Sequence, residues 1–382
     1  MDQKQGLSGL FSRGLRGLAS QRRVGPIGIR LGYEQLSFLQ LEQAGDGLKV
    51  RCAGAADYPG MSRDNVTQSP AHFKTFLHDI AKRHSTLHGR TVVTGLPPEK
   101  IKLAMVNYRI KSGQSDDLAV VEHMKDRLAG NINDWVIDYF PIRRAHLEAT
   151  DRSALVAAAK RTDIIDLLEL FRLSGFEVEA LEIGPVAIRR LASYLRSGQT
   201  FENILLLNVG QYKSYLTVLW GRRLLLDREL DFGRKRLLQT LSETLDLPAE
   251  SAAQLLSRFG FRRGAQIDDA TTEHNVSETV TEILKPEFLS LVEDINKALI
   301  YTASETRGGA VAYVYLLGCM ADWPGAGRFL GSLLSIPVAK LDPFSGFVAG
   351  GQSFGDNPRE HFSGFVMAAG HALRGIITHV GV

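Results

Sequence analysis

The chain has 382 residues, of which 44% are hydrophobic and 23% charged, and its formal net charge at pH 7 is +3. This composition predicts a globular protein of about two domains, and the charge is too balanced to predict a nucleic-acid partner. No apolar run of about 18 residues occurs, so we expect no transmembrane helix. The first residues also lack the apolar core of a secretory signal. Two distant cysteines, Cys52 and Cys319, fit buried thiols in a reducing cytoplasm.

Residues 1–23 differ in composition from the rest of the chain. Leucines and a phenylalanine recur there at helical spacing among several arginines, a pattern typical of a helix that lies on a membrane surface. Glycines at four positions oppose a stable helix, because each costs about 1 kcal/mol relative to alanine. We therefore expect a flexible basic tail that makes a weak peripheral contact with the membrane.

From Val24 onward, apolar residues alternate with period two and then with helical spacing. Turn signals at Gly32 and at 44–47 divide the first part into three strands. The following region mixes helices and strands and ends in a segment, 178–195, that runs from a strand through Pro185 into a helix. The other predicted strands are 27–33, 36–43, 49–59, 90–97, 100–110, 133–143 and 153–161, and the other predicted helices are 70–88, 116–132 and 162–176.

Residues 202–230 repeat the plan of the first three strands: strand, glycine turn, strand, tight turn, strand. The two segments align without a gap, so that Gly210 corresponds to Gly32 and Asn208 to Arg30. A duplicated hairpin predicts an α/β fold with two similar sheets, each followed by helices. Further predictions are helices at 235–247, 248–260, 277–306 and 364–376, a polar loop at 261–275, and a strand, glycine loop, helix and strand within 312–344.

Five motifs follow one another along the chain: IGIRLGYEQLSFLQL, TVVTGLP, LLNVGQYKSYLTVLWGRRLLLDRELDFGRKRLLQTL, VYLLGCMADWPGAGRFLGSLLSIPVAKLDPF and AAGHALRG. Their order and spacing resemble the PilM family, the cytoplasmic actin-like proteins of type IV pilus assembly. The resemblance covers nearly the whole chain from about Val24. It implies an actin-like (ribonuclease H-like) two-lobe ATPase fold with an FtsA/PilM-type small subdomain.

The resemblance also implies how the chain is divided. Residues 24–97 and 176–200 would form the first lobe, joined by the C-terminal helix at 360–382. Residues 98–175 would form the small inserted subdomain. Residues 201–382 would otherwise form the second lobe, with a helical subdomain at about 235–306.

In actin-like ATPases each glycine turn follows a carboxylate, because the magnesium ion that accompanies the nucleotide takes hard oxygen ligands. Small residues then let main-chain N–H groups approach the phosphates. In this sequence the first hairpin has Arg30 in place of the acid, and the bulky Tyr33 follows Gly32. Arginine at that position would repel the metal ion.

The second hairpin departs from the pattern in the same direction, with Asn208 in place of the acid and Gln211 and a tyrosine after Gly210. The adenosine loop keeps only Gly318, and Cys319 and the methionine after it would fill the space of the ribose or base. We therefore expect a degenerate nucleotide site, with no ATP hydrolysis, no bound metal and no cofactor. The alternative is weak retained ATP binding.

A scaffold is the function that this reading favours. In the family, a groove between the first lobe and the small subdomain receives the short N-terminal cytoplasmic tail of PilN, a bitopic inner-membrane protein. Parts of 98–145 would line that groove here, and the aromatic residues that could contact a partner are Tyr108, Trp135, Tyr139 and Phe140, although core packing is an equally good interpretation of each. The protein would then be cytoplasmic and peripheral to the inner membrane, with the assembly ATPase and other pilus proteins as further candidate partners.

Two other functions stay open at this point. An active actin-like ATPase or nucleotide switch would require acids at the two metal positions, where Arg30 and Asn208 stand. A GspL-like cytoplasmic domain of type II secretion shares the fold and also lacks good nucleotide motifs. That family continues into a membrane helix, which we do not expect here.

Overall fold

The computed structural model describes residues 24–45, 47–58, 60, 62–111, 113–142, 151–197, 202–261, 272–348 and 362–376. They fall into two units: the residues before 200 and after 342, and residues 200–342. The predicted tail at 1–23 lies outside the described residues. So do most of the predicted loop at 261–275 and both ends of the C-terminal segment 360–382.

Apart from the helix at Arg63–Gln68, which was not predicted, the elements of the first unit are close to those predicted from sequence periodicity. Its strands are β1 (Val24–Leu31), β2 (Gln35–Ala44), β3 (Gly47–Asp57), β4 (Thr91–Thr94), β5 (Ile101–Arg109), β6 (Trp135–Ile142), β7 (Asp151–Lys160) and β8 (Glu177–Leu181). Its helices are α1 (Arg63–Gln68), α2 (Pro70–Arg83), α3 (Asp116–Met124), α4 (Arg161–Leu173), α5 (Gly184–Leu195) and, near the end of the chain, α10 (Phe365–Arg374).

The second unit repeats the three-strand opening and continues with helices. Its strands are β9 (Asn203–Val209), β10 (Ser214–Trp220), β11 (Arg223–Leu230), β12 (Val311–Gly318) and β13 (Val338–Lys340). Its helices are α6 (Arg234–Leu245), α7 (Ala249–Arg258), α8 (Thr272–Glu305) and α9 (Ala326–Leu334).

The two units contain sheets of the same topology. The first sheet has the order β3-β2-β1-β4-β8 and the second the order β11-β10-β9-β12-β13. The hairpin registers also correspond, because Leu31 pairs with Leu36 in the first and Val209 with Ser214 in the second. The predicted duplication is therefore confirmed in both strand order and register.

The first sheet is packed on both faces. Apolar side chains of α1, α2 and α4 form one core with β1 and β2, in which Phe38, Phe73 and Phe171 are almost fully buried. On the other face, α10 lies so close to β1 that a Cβ on Gly28 would be 2.0 Å from the carbonyl oxygen of Ala368. The small residues of the AAGHALRG motif therefore serve close helix-to-strand packing.

A separate three-stranded antiparallel sheet, in the order β5-β7-β6, lies between β4 and α4 in the sequence. Helix α3 covers one face of it, where Val106, Val120 and Met124 are buried in a small core. Helix α4, which the sequence-based division placed in the inserted segment, contributes its buried face to the core of the first sheet.

In the second unit, α6, α7, α8 and α9 cover one face of the sheet in a single core. Three aromatic rings mark its centre, with ring centroids of Phe261 and Phe288 5.0 Å apart and those of Phe261 and Phe329 5.2 Å apart. Helix α8 begins at Thr272, so the predicted loop at 261–275 was too long. That stretch is polar, and the polar face of a helix has the same composition as a loop.

Candidate functional site

The turn of the first hairpin is crowded by its own arginine. A Cβ on Gly32 would lie 2.5 Å from the carbonyl oxygen of Gln35 and 2.7 Å from Nη1 of Arg30. The guanidinium group therefore folds back over the glycine that would have to approach a phosphate. Arg30 stands at the position where a carboxylate was expected, and it pairs in register with Ser37 near the end of the hairpin.

Tyrosines complete the surroundings of this turn. The hydroxyl of Tyr58 donates to the carbonyl oxygen of Gly32 at 3.1 Å, and burial raises the pKa of Tyr58, so this hydroxyl stays protonated. Tyr33 is 37% exposed, and the guanidinium carbon of Arg63 is 6.0 Å from the centre of its ring. Arg63 is itself buried and ion-paired with Asp64. Two arginines thus lie at a turn where a metal–phosphate complex would need acids.

The turn of the second hairpin is bound to the start of α6. The N–H of Gly210 donates to the carbonyl oxygen of Lys213 at 3.1 Å, which closes the turn. The carbonyl oxygens of Gly210 and Gln211 accept the N–H groups of Arg234 and Lys235 at 3.0 and 2.9 Å. Two of the four free N–H groups at the start of this helix are therefore used by the turn.

Each hairpin turn carries an exposed tyrosine, one position after Gly32 in the first and two positions after Gly210 in the second. Tyr212 is 43% exposed, and the ammonium group of Lys235 is 5.3 Å from the centre of its ring. Tyr33 has the same kind of neighbour in Arg63. The sequence indicated the bulk of both tyrosines but not the cation beside each ring, because each cation comes from a following helix.

The glycine loop after β12 lies against the end of β9. Gly318 has a φ of 74°, and a Cβ there would be 2.2 Å from the carbonyl oxygen of Val209 and 2.7 Å from Oδ1 of Asn208. The Cys319 thiol donates to the same carbonyl oxygen at 3.2 Å. Met320 is fully buried in the core of the second unit.

The residues proposed for the nucleotide site thus form two groups. Arg30, Gly32 and Tyr33 lie together in the first unit, while Asn208, Gly210, Gln211, Gly318 and Cys319 lie together in the second. Among the described residues, no group of three or more histidine, cysteine or acidic side chains could hold a metal ion.

Three of the four aromatic residues proposed for partner binding face the small core under α3. Tyr108 and Trp135 are buried there and Tyr139 packs against the same core. The Tyr108 hydroxyl donates to Asp116 at 2.8 Å, and the Trp135 indole N–H donates to the carbonyl oxygen of Ala129 at 3.1 Å. Core packing therefore accounts for Tyr108 and Trp135.

Phe140 points to the opposite face of the small sheet. It is half-buried, and the guanidinium carbon of Arg189, which belongs to α5, is 4.9 Å from the centre of its ring. Val136, on the same face, packs against the core of the first sheet. Of the four aromatic residues, Phe140 is the one directed at the junction of the small sheet with the first sheet's helices.

A sequence model for the family described as "Type IV pilus assembly protein PilM" matches residues 28–376. The chain belongs to the PilM family. A solved structure of a PilM–PilN type IV pilus biogenesis complex is similar to this PilM-family chain, with a TM-score of 0.71 and 18% identity, over 93% of this chain and 100% of that one. The ethanolamine utilization protein EutJ from Carboxydothermus hydrogenoformans is similar with a TM-score of 0.51 and 14% identity, over 97% and 96% of the two chains.

The predicted actin-like fold is thereby confirmed for this PilM-family chain. Within the described residues, none of its helices combines the length and apolar character that crossing a bilayer requires.

A buried charge cluster in this PilM-family chain was not expected from the sequence. Glu182 follows β8 and is bound by Arg190 of α5 at 2.7 Å and by Arg374 of α10 at 2.6 Å, while Nδ1 of His371 is 3.4 Å away. Although burial by itself would raise the pKa of Glu182, the hydrogen bonds from His371 and Arg190 hold it well below its usual value. The cluster fastens α10 to the first sheet.

No local signal could have revealed this cluster, since its members are separated by up to 192 positions. An isolated glutamate between a strand and a helix is typical of an exposed loop, and here its side chain is 1% exposed.

Proposed function

We propose that this protein is a non-catalytic scaffold of type IV pilus assembly that docks the cytoplasmic tail of a PilN-like membrane protein. The observation that carries the proposal is membership of the PilM family combined with a hairpin turn in each unit whose approach to a phosphate is obstructed. The similarity to the PilM–PilN complex supports the choice of partner. The protein would be held at the cytoplasmic face of the inner membrane through that partner.

The absence of ATP hydrolysis is part of this proposal. Neither metal position offers a carboxylate, because Arg30 and Asn208 stand there. Arg30 also folds over the first turn, and Asn208 packs against Gly318. Arg63 adds a buried cation near the first turn. The arginines could pair with a phosphate but would repel the magnesium ion, and Asn208 supplies no charge to hold that ion.

Calorimetric titration with ATP, with and without magnesium, tests the nucleotide part. We expect no binding, or weak binding that magnesium does not strengthen, and no phosphate release over hours. Tight magnesium-dependent binding would show that the site is intact and that the protein is an ATPase or a switch. ATP bound weakly through main-chain groups alone would leave the absence of hydrolysis standing.

The docking part places the partner at the junction beside Phe140. This ring is half-buried, belongs to an edge strand and lies next to Arg189. Aromatic and arginine side chains are the types that most often dominate binding energy at interfaces.

Co-purification with the PilN-like neighbour tests this placement. Phe140→Ala should weaken binding by about tenfold or more, as expected for an interface hot spot. Leu118→Ala is a matched control, because Leu118 is an apolar side chain of α3 that is 59% exposed. Equal melting temperatures of both variants would exclude unfolding as the cause. If deletion of residues 1–23 abolishes binding while Phe140→Ala binds fully, the tail recruits the partner and the docking model is wrong.

A further inference from the structure

Strand β6 is at the edge of the small sheet and pairs only with β7 within the part of the chain that the structure describes. The main-chain N–H of Tyr139 donates to Oδ1 of Asp138 at 2.8 Å. In an antiparallel strand alternate residues direct their N–H and C=O groups to opposite sides. Residues 137, 139 and 141 therefore direct theirs to the open edge.

Proline at position 141 agrees with this assignment. Proline lacks an N–H group and occurs in sheets where that group would face away from the ladder. Pro141 is exposed. The open edge of β6 thus presents two consecutive outward N–H groups, those of Ile137 and Tyr139, before Pro141 ends the series. One of the two is occupied by a side-chain carboxylate.

The Asp138 carboxylate occupies the position that a carbonyl oxygen of a neighbouring strand would take. Burial raises the pKa of Asp138, and the hydrogen bond from Tyr139 opposes that rise. The charges around it are of both signs, since Asp117 also raises the pKa and Arg374 lowers it. Charged side chains and prolines on edge strands are common means of preventing unwanted strand pairing.

The two sides of this edge differ in character. On the α3 side, Tyr139 packs against the small core, where burial raises the pKa of its hydroxyl and Asp117 adds to that rise. On the other side, Phe140 lies beneath Arg189. An extended segment placed along β6 would therefore meet one aromatic side chain on each side. Such a segment would gain main-chain hydrogen bonds from the edge and contacts for alternate side chains.

We propose that the β6 edge from Ile137 to Tyr139 pairs with an extended segment of the PilN-like tail, and that Asp138 releases the Tyr139 amide to a main-chain carbonyl of that segment. This inference rests on the proposed function and specifies how the partner is held. Pairing is short, because Pro141 offers no donor beyond Tyr139. In the free protein, the Asp138 carboxylate blocks strand pairing at this edge by accepting the Tyr139 N–H.

The test uses the full chain and a synthetic peptide with the N-terminal cytoplasmic sequence of the PilN-like neighbour. Amide hydrogen exchange should slow at least tenfold at Ile137 and Tyr139 when the peptide binds. Asp138→Ala should bind the peptide about 2- to 10-fold more tightly, since one competing hydrogen bond no longer has to be broken. Asp138→Asn retains an acceptor and should lie closer to the wild type, and Asp134→Ala, at an exposed position before β6, is the control.

The outcomes separate this inference from the proposed function. A peptide that binds the wild type without slowing exchange at Tyr139, or an affinity that Asp138→Ala leaves unchanged, overturns the edge pairing while docking stands. If the peptide does not bind the wild type, the proposed partner is wrong and the pairing falls with it. If Asp138→Ala forms dimers and the peptide does not protect Tyr139, the edge serves a second copy of the chain, which also overturns the proposal.

Discussion

A buried acid in the second unit should make the stability of this protein depend on pH. Asp227 of β11 is 6% exposed, and its Oδ1 accepts a hydrogen bond from the hydroxyl of Thr217 at 2.6 Å. Burial raises the pKa of Asp227 from its ordinary value of 3.8 to about 7, although the Thr217 bond acts in the opposite direction.

The sign of the effect follows from proton binding. Between pH 4 and 7 the folded chain holds this proton and the unfolded chain releases it, so folding loses stability as pH rises. The contribution is fully present below the unfolded pKa and is lost as pH rises through about 7. One pKa unit corresponds to about 1.4 kcal/mol, so the loss between pH 5 and 8 is about 2–3 kcal/mol.

Asp227→Asn removes the titration and keeps a side chain of the same shape. We expect the difference in unfolding free energy, variant minus wild type, to be about 2–3 kcal/mol more favourable to the variant at pH 8 than at pH 5. Any constant cost of the buried amide cancels in this comparison. Urea unfolding followed by tryptophan fluorescence is a suitable assay, because Trp220 and Trp323 belong to the second unit.

The control is Asp126→Asn, which makes the same chemical change at an exposed position. Its free-energy difference from the wild type should not depend on pH. If Asp227→Asn shows the same difference from the wild type at pH 5 and pH 8, Asp227 is ionised in the folded protein and the reasoning from burial is refuted.

Three further substitutions and one control variant test the packing of the fold by thermal or urea unfolding. Glu182→Gln should cost about 3–5 kcal/mol, because it leaves the buried guanidinium of Arg190 without its counter-charge; a loss below 1 kcal/mol would mean that the cluster is solvated. Gly28→Ala should cost at least about 1–3 kcal/mol through collision with α10, whereas Gly327→Ala, with its nearest neighbour at 3.5 Å, should be neutral or slightly stabilising. Pro286→Ala should stabilise the protein by up to about 3 kcal/mol, because proline is unfavourable inside helix α8. A less stable variant would show that proline does not destabilise the helix at this position.

The hairpins show how far the sequence alone determines this fold. Period-two alternation and the glycines at 32 and 210 predicted both hairpins, their turns and their mutual register, and the structure confirms each of these. Such features depend on local backbone preferences and on contacts between residues a few positions apart. Arg30 and Asn208, at positions where the family resemblance implied acids, were equally visible, because they depend on residue identity at a position that the turn fixes.

The sequence predicts whether a side chain is buried better than it predicts which hydrophobic core contains that side chain. The sequence-based division placed α4 in the inserted segment, and its apolar face is buried in the core of the first sheet. An apolar pattern predicts that a face of an element will be buried, but it does not predict which element covers that face. The reason is that any apolar surface removes the face from water equally well.

Only the tertiary structure distinguishes Phe140 from Tyr108 and Trp135. Tyr108 and Trp135 face one side of the small sheet, and Phe140 faces the other. It alone also joins Glu182 to Arg374 and places the Asp138 carboxylate on the Tyr139 amide. The physical reason is that charge and hydrogen-bond partners are chosen by distance in space. Folding brings together residues that are up to 192 positions apart in this sequence, and no local sequence period can indicate such contacts.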